Sequence, residues 1–233
     1  LIRMGEDTND LSLYGAGLWP LSEVQDKQGR FEDCIANSKK LIEAFEAIKF
    51  HNGRVVGGYV LGRCYLRLGE IDAGLDILIQ NDTYRIDHDS RLEEHFVLLG
   101  VFRAYLAVAE RANAMDRERW MKKAKQAKKK ALHSAQLRRI ILPEATRLQG
   151  VYDWLNGKQA AAQKHWQHSI SLAEEMGMRY ELAMTHLEMG MRLNDHEHLK
   201  QAEATFADIG ADFDLAEARR LLQSLAERKG GVA

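Results

Sequence analysis

Proline and cysteine are both scarce in this 233-residue chain, with two of each. Few prolines leave long helices uninterrupted, and both of them, Pro20 and Pro143, stand where a helix could begin. Cys34 and Cys64 fall at apolar or small positions and read as buried reduced thiols, with a disulfide or redox role as the other reading. Strand signals are scarce too: no period-2 run bounded by turns is present, which argues against a sheet. No apolar run approaches the roughly 18 residues that cross a bilayer, and no signal peptide is visible. A cytoplasmic protein away from membranes is expected. The net charge of −1 gives no reason by itself to expect nucleic acid. Catalytic signatures are missing as well: no phosphate loop, no GxGxxG after a strand, no G-x-S-x-G elbow and no HExxH. Glu93-Glu94 and Glu174-Glu175 are adjacent and point to different sides of a helix, so neither is a natural acid/base pair. No enzyme, catalytic residue or cofactor is expected.

Apolar residues make up 45% of the chain, ordinary for a folded protein, and the pattern is all-α. The most informative stretch runs from Pro143 to Ala183 and reads as two amphipathic helices closed by a short turn. Pro143 opens the first, where its missing N–H costs nothing. Asn156-Gly157 ends it, because glycine accepts the left-handed turn that a side chain resists. Gly150 and Ala162 are placed where the helices cross at about 8–10 Å, with Trp154 and Trp166 filling the volume alongside. The same spacing returns at Gly62, Gly69, Gly74 and Leu78. It returns again at Gly190, Ala202 and Phe206 with Glu197 at the turn, and more weakly at Ser22, Gly29, Cys34 and Ser38. Gly100 starts a copy whose turn is displaced. The anchors Ser22, Gly62, Gly100, Gly150 and Gly190 are 40, 38, 50 and 40 residues apart, a period that signals a solenoid of helix pairs.

These residues resemble the tetratricopeptide repeat family. The resemblance rests on Leu61-Gly62 and Leu99-Gly100, on Tyr65, on the turn glycines, on the small residues Gly74, Ala162 and Ala202, and on the bulky Leu78, Trp166 and Phe206. It covers nearly the whole chain, although the period exceeds the family's usual length of about thirty-four and the closing proline is absent. The segments SLAEEMGMRYELAMTHLEMG and AEATFADIGADFDLAEARRLL are similar to the elongated repeats of bacterial multidomain regulators, namely transcription activators and cyclases that carry an ATPase. The resemblance implies a right-handed α-solenoid of about five antiparallel helix pairs plus a C-terminal capping helix. It also implies a non-enzymatic interaction or regulatory scaffold in bacterial signalling, with a protein or peptide partner in a concave groove lined by the first helix of each pair. Positions counted from the anchors give the groove residues Tyr59, Arg63, Leu66 and Arg67; Val97, Val101, Ala104 and Tyr105; Arg147, Val151, Trp154 and Leu155; and Leu187, Met191, Asn194 and Asp195. The set lacks the Lys/Asn/Arg clamp by which some relatives hold a C-terminal carboxylate.

Residues 1–17 are expected as an irregular lead-in or the end of an earlier helix, and 18–233 as a single repeat domain. Helix pairs are expected over 18–28 and 31–48, 54–68 and 71–80, 90–113 and 116–135, 143–156 and 159–176, and 179–193 and 197–209. Residues 81–89 read as turn-rich, and Ser90 as forming a capping box with Glu93. Asp212 to Arg228 reads as a cap with a polar outer face, and Gly230-Gly231 as a frayed tail. Leu1 is not an initiator residue, which leaves room for an upstream catalytic domain.

The sharpest chemical feature is residues 117–139, with ten Lys/Arg against one Glu, a net +9 that leaves the rest of the chain at −10. Arg119, Lys122, Lys123, Lys125, Lys128, Lys129 and Lys130 form a basic patch around a thin docking stripe of Trp120, Ala124, Ala127, Ala131 and Ala135. A solvated outer helix is the plain reading; an acidic protein partner, nucleic-acid phosphate or an acidic lipid surface are the functional ones. Residues 203–217 carry five Asp/Glu and no Lys/Arg, so self-association with the basic helix is a further hypothesis. His165/His168 and His196/His198 have no third ligand at a diagnostic spacing and read as surface histidines, with no metal. A small-ligand (inducer) sensor and a nucleic-acid module on 117–139 stand as alternatives to the scaffold.

Overall fold

The computed structural model describes residues 1–230. Those residues form twelve α-helices and no strand: α1 Ile2–Thr8, α2 Leu11–Lys27, α3 Phe31–Ala47, α4 His51–Leu68, α5 Ile71–Asp87, α6 Glu94–Arg111, α7 Ala114–Leu137, α8 Leu142–Leu155, α9 Gln159–Glu175, α10 Arg179–Leu193, α11 His196–Ile209 and α12 Asp212–Gly230. A 3-10 turn, Arg139–Ile141, precedes α8.

Local chemistry sets the boundaries. Gly157 takes the left-handed turn after α8 at φ 75°, and Pro143 lies in the first turn of α8. Asn113 Oδ1 accepts from the Met115 and Asp116 N–H groups to start α7. Asp195 Oδ1 does the same for Glu197 and His198 at the start of α11. Each such cap stabilises a helix by about 1 kcal/mol. The 50-residue interval between Gly100 and Gly150 has a simple cause. Helix α7 is 24 residues long and the 3-10 turn follows it, whereas α5 and α9 are 17 residues each.

The chain divides into two compact units, one of Leu1–Asp26 with Arg30–Arg138, the other of Lys27–Gly29 with the residues from Arg139 on. In the first, α3 to α7 pack each on the next, and Leu18 of α2 joins Leu41 and Phe45 of α3. In the second, α8 to α12 pack in the same consecutive manner. Gly150 is required by the packing: a Cβ there would overlap the Trp166 ring, which is fully buried and donates its indole N–H to the Arg147 carbonyl at 3.2 Å. Ala183, Leu199, Ala202 and Phe206 belong to a second core cluster between α10, α11 and α12. Truncating a residue like Trp166 costs about 3–5 kcal/mol.

Several expectations need correction. Of the two readings of residues 1–17, the irregular lead-in fails: they fold as α1 and the start of α2, because their glycines serve close approach rather than helix breaking. A Cβ on Gly5 would stand 2.5 Å from the Tyr14 backbone nitrogen, and one on Gly17 2.7 Å from the Ile2 side chain. Pro20 lies inside α2, where it removes one backbone hydrogen bond from the helix interior. Residues 81–87 continue α5 because Asn81, read as a turn former, is 1% exposed. It donates to the Val55 carbonyl at 2.8 Å and accepts from Arg54 at 2.6 Å, so burial with satisfied partners overrides propensity. Ser90 makes no capping box: α6 starts at Glu94 and the Ser90 hydroxyl donates to Asn52 Oδ1. Cys34 and Cys64 are buried but joined as a disulfide between α3 and α4, not held as reduced thiols. Helix pairing brings together two residues 30 apart in sequence. Gly230 is helical, and Gly231 of the expected tail lies outside the described residues.

Candidate functional site

In the first unit, the first-helix face is closed by its own side chains. Tyr59 is 4% exposed; its ring stacks on Phe96 with centroids 5.3 Å apart, and its hydroxyl accepts from Arg63 at 3.1 Å. Arg63 also donates to Glu23 at 2.7 Å and stands 3.1 Å from Asp26. Arg67 meets the other Asp26 oxygen at 3.3 Å. Burial works against the Arg63 charge, but Glu23, Tyr59 and Asp26 outweigh it and hold the guanidinium above its ordinary value. Leu66, Val97, Val101 and Ala104 are buried. Tyr105 is half-buried, and burial, helped by Asp82, pushes its phenol up. Asp26, Cys34 and Cys64 bring ligand atoms within 4.8 Å of one another, yet the disulfide leaves no thiolate to give a metal.

The second unit repeats this closure. Arg147 is 3% exposed and pairs with Glu181 at 3.4 Å. Val151 and Leu187 are core residues. Half-buried Trp154 packs on Trp166 at 5.6 Å, beside half-buried Leu155. Asn194 and Asp195 are occupied as the left-handed end of α10 and the cap of α11. Met191 is exposed. Of the residues expected to line a groove, then, Tyr59, Leu66, Val97, Val101, Ala104, Arg147, Val151 and Leu187 are packed inside. Arg63 and Arg67 are tied to α2. Tyr105, Trp154 and Met191 keep accessible surface.

The basic patch has the opposite character. Ala124, Ala127, Ala131 and Ala135 of α7 are buried and form the thin stripe expected, with Met121 and Ser134 added to it. Arg119, Lys122, Lys125, Lys129 and Lys130 are exposed, and Lys123 and Lys128 half-exposed. Lys123 rests 4.6 Å above the Trp120 ring, and Lys122 meets Glu118 at 3.0 Å on the open surface, a contact of small net worth. The acids of 203–217 are engaged close to home. Glu203 pairs with Arg219, Asp208 with Arg179 and Glu217 with Arg220, and Asp214 is buried against the Tyr180 hydroxyl at 2.9 Å.

Among the histidines, His165 stands 3.3 Å from Asp153, and His168 and His196 are exposed. His198 turns instead to His186. Burial first, then His198, holds His186 low, at about 4. Glu23, Asp26 and His186 are the polar groups that sequence reasoning passed over. The i, i+3 acids of α2 facing the i, i+4 arginines of α4 offered a charge-pattern signal; nothing short-range marked His186.

No family model and no curated protein matches this chain. Among solved structures, it is similar to a thermophilic TPR protein of Thermus thermophilus, at 17% identity and a TM-score of 0.58, over 91% of this chain and 98% of that one. The fold is therefore an all-α array of tetratricopeptide-like helix pairs, as the repeat anchors imply.

Proposed function

We propose that this chain is a non-enzymatic protein-interaction scaffold and that it takes an acidic protein segment along the outer face of α7. The carrying observation is the row of exposed ammonium groups at Lys122, Lys125, Lys129 and Lys130 on a helix whose buried alanines fix its orientation. Arginines elsewhere, such as Arg63, Arg85 and Arg192, are spent on carboxylates of the same unit. Charge of one sign on a fixed face steers and orients an anionic partner. Tyr105, in the same unit as α7, is the expected groove position open to a second contact. The likeness of 171–190 and 202–222 to the elongated repeats of bacterial regulators supports a place in a larger signalling or transcription-regulating protein. The cytoplasmic location expected from reduced thiols loses that support, because disulfides such as Cys34–Cys64 persist in oxidising compartments. Self-association is weakened as a reading, since four of the five acids of 203–217 already have partners.

The test is fluorescence anisotropy with a labelled poly-glutamate peptide, using single-stranded DNA of equal charge as competitor. Four exposed contacts at about 0.2–1 kcal/mol each predict roughly fourfold or greater loss of peptide affinity in Lys122→Glu/Lys125→Glu/Lys129→Glu/Lys130→Glu, and a steep fall with salt. Unchanged peptide affinity in that variant overturns the proposal. Preference for the DNA assigns the face to nucleic acid instead.

A further inference from the structure

Two histidines twelve residues apart in sequence meet in the second unit. His186 of α10 and His198 of α11 bring their Nδ1 atoms to 2.8 Å, with ring centroids 5.1 Å apart. Both are half-buried and line a cleft of about 530 Å³ together with Gln167 and Glu174 of α9 and Gln201 and Thr205 of α11. Two imidazole nitrogens this close need something between them, either a shared proton or a cation. Metal–nitrogen bonds of about 2.0–2.1 Å put two cis ligands roughly 2.9 Å apart at a right angle and about 3.3 Å apart at the tetrahedral angle. The observed spacing is close to the first and within a small rotamer adjustment of the second.

We propose that His186 and His198 form a binding site for a divalent first-row transition cation, Zn²⁺, Ni²⁺ or Cu²⁺, with the two Nδ1 atoms as its protein ligands. Imidazole nitrogen suits these three ions. The scaffold is fixed: the Asp195 cap holds the His198 backbone N–H at 3.1 Å, and Thr185 and Leu187 on either side of His186 are buried. Among the described residues, no third His, Cys or carboxylate ligand atom lies within 4.8 Å of both nitrogens. Water, or the Glu174 carboxylate after a side-chain rotation, completes the shell. The site bridges α10 and α11, so the bound cation stabilises the fold by mass action. Sequence spacing hid it because neither pair flagged along the chain contains His186.

The test is calorimetric titration of tag-free, chelator-stripped protein with ZnCl₂ at pH 7.5, for wild type, His186→Asn, His198→Asn and His196→Asn. The expected result is one cation per chain in wild type and in His196→Asn, and at least about tenfold weaker binding in the other two variants, the scale on which losing an important contact to a metal tells. A second measurement uses wild type alone: substoichiometric NiCl₂ broadens the ring NMR signals of His186 and His198 before those of His165 and His168. No binding by wild type, undiminished affinity in both His186→Asn and His198→Asn, or first broadening at other histidines overturns the site. The charge-reversed α7 variant retains the titration, so failure here and failure of the α7 reading are separate results.

Discussion

The two units fill equivalent parts of the repeat with different polar chemistry. In the first, the face of the first helices is tied by ions: Asp26, 2% exposed, faces the guanidiniums of Arg63 and Arg67, and Glu23 takes the outer side of Arg63. In the second, the first-helix face keeps one ion pair, Arg147 with Glu181, and hydroxyls also join its helices. Ser169 donates to the Pro143 carbonyl at 2.7 Å and stands 3.0 Å from the Thr185 hydroxyl, which donates to the Glu181 carbonyl at 2.8 Å. That run of contacts links α8, α9 and α10. Helix packing of the same kind accommodates either solution, but the penalties for disturbing them differ. A buried ion pair that loses one partner leaves an uncompensated charge; a hydroxyl that is lost leaves at most one unpaired carbonyl.

The largest expected effect follows from that asymmetry. Asp26→Ala removes the buried carboxylate that two guanidiniums share, while Glu23 stays on Arg63, and should lower stability by about 3–5 kcal/mol in urea unfolding. Asp26→Leu/Arg63→Met/Arg67→Met with Glu23→Gln, which replaces the ionic cluster by uncharged groups of similar volume, should regain most of the loss. Equal instability in both proteins would show that shape, not charge, holds this face. Ser169→Ala should cost about 0.5–1.5 kcal/mol by the same measurement, since it removes one buried hydrogen bond without stranding a charge. If Ser169→Ala proves as damaging as Asp26→Ala, the contrast between the units collapses.

The repeat itself was readable because its signals are short-range. Gly150 against Trp166, Gly157 at its turn, Pro143 at its helix start and the alanine stripe of α7 all depend on spacing within one hairpin, which periodicity encodes directly. The exposure of the expected groove residues was less readable. Counting from the anchors identifies the first-helix face, but whether that face meets solvent depends on what packs over it. Phe96 covers Tyr59, and Asp26 and Glu23 occupy Arg63 and Arg67, all through contacts 37 to 41 residues away in sequence. Asn81 failed for the opposite reason: its turn propensity is intrinsic and local, and a buried carbonyl at Val55 outweighs it. Cys34 and Cys64 needed the register between α3 and α4, which no single-helix pattern contains.

A third measurement reaches the finest level of the comparison, the way each unit keeps a neutral histidine. In the second unit, His186 is held low by burial and by His198. In the first, His95 of α6 is 4% exposed, packs beside Phe96 with centroids 4.1 Å apart, and is held below its ordinary value by burial and by the Arg138 charge, against a backbone hydrogen bond at Leu92. Its depressed folded value means that the unfolded chain takes up the proton first as pH falls. Stability is therefore full above about pH 6.5, the unfolded value, and declines as pH drops toward the folded value. Glu93, whose carboxylate stands 3.9 Å from His95 Nε2, runs the other way: burial raises it despite Arg138, so its contribution is lost as pH rises through the carboxylate range. His95→Gln isolates the histidine. Between pH 7.5 and 5.5, wild type should lose more stability than His95→Gln, by the smallest margin of the three effects. Parallel pH profiles for the two proteins would mean that His95 takes up its proton within the fold without penalty, and that Arg138 exerts no force on it.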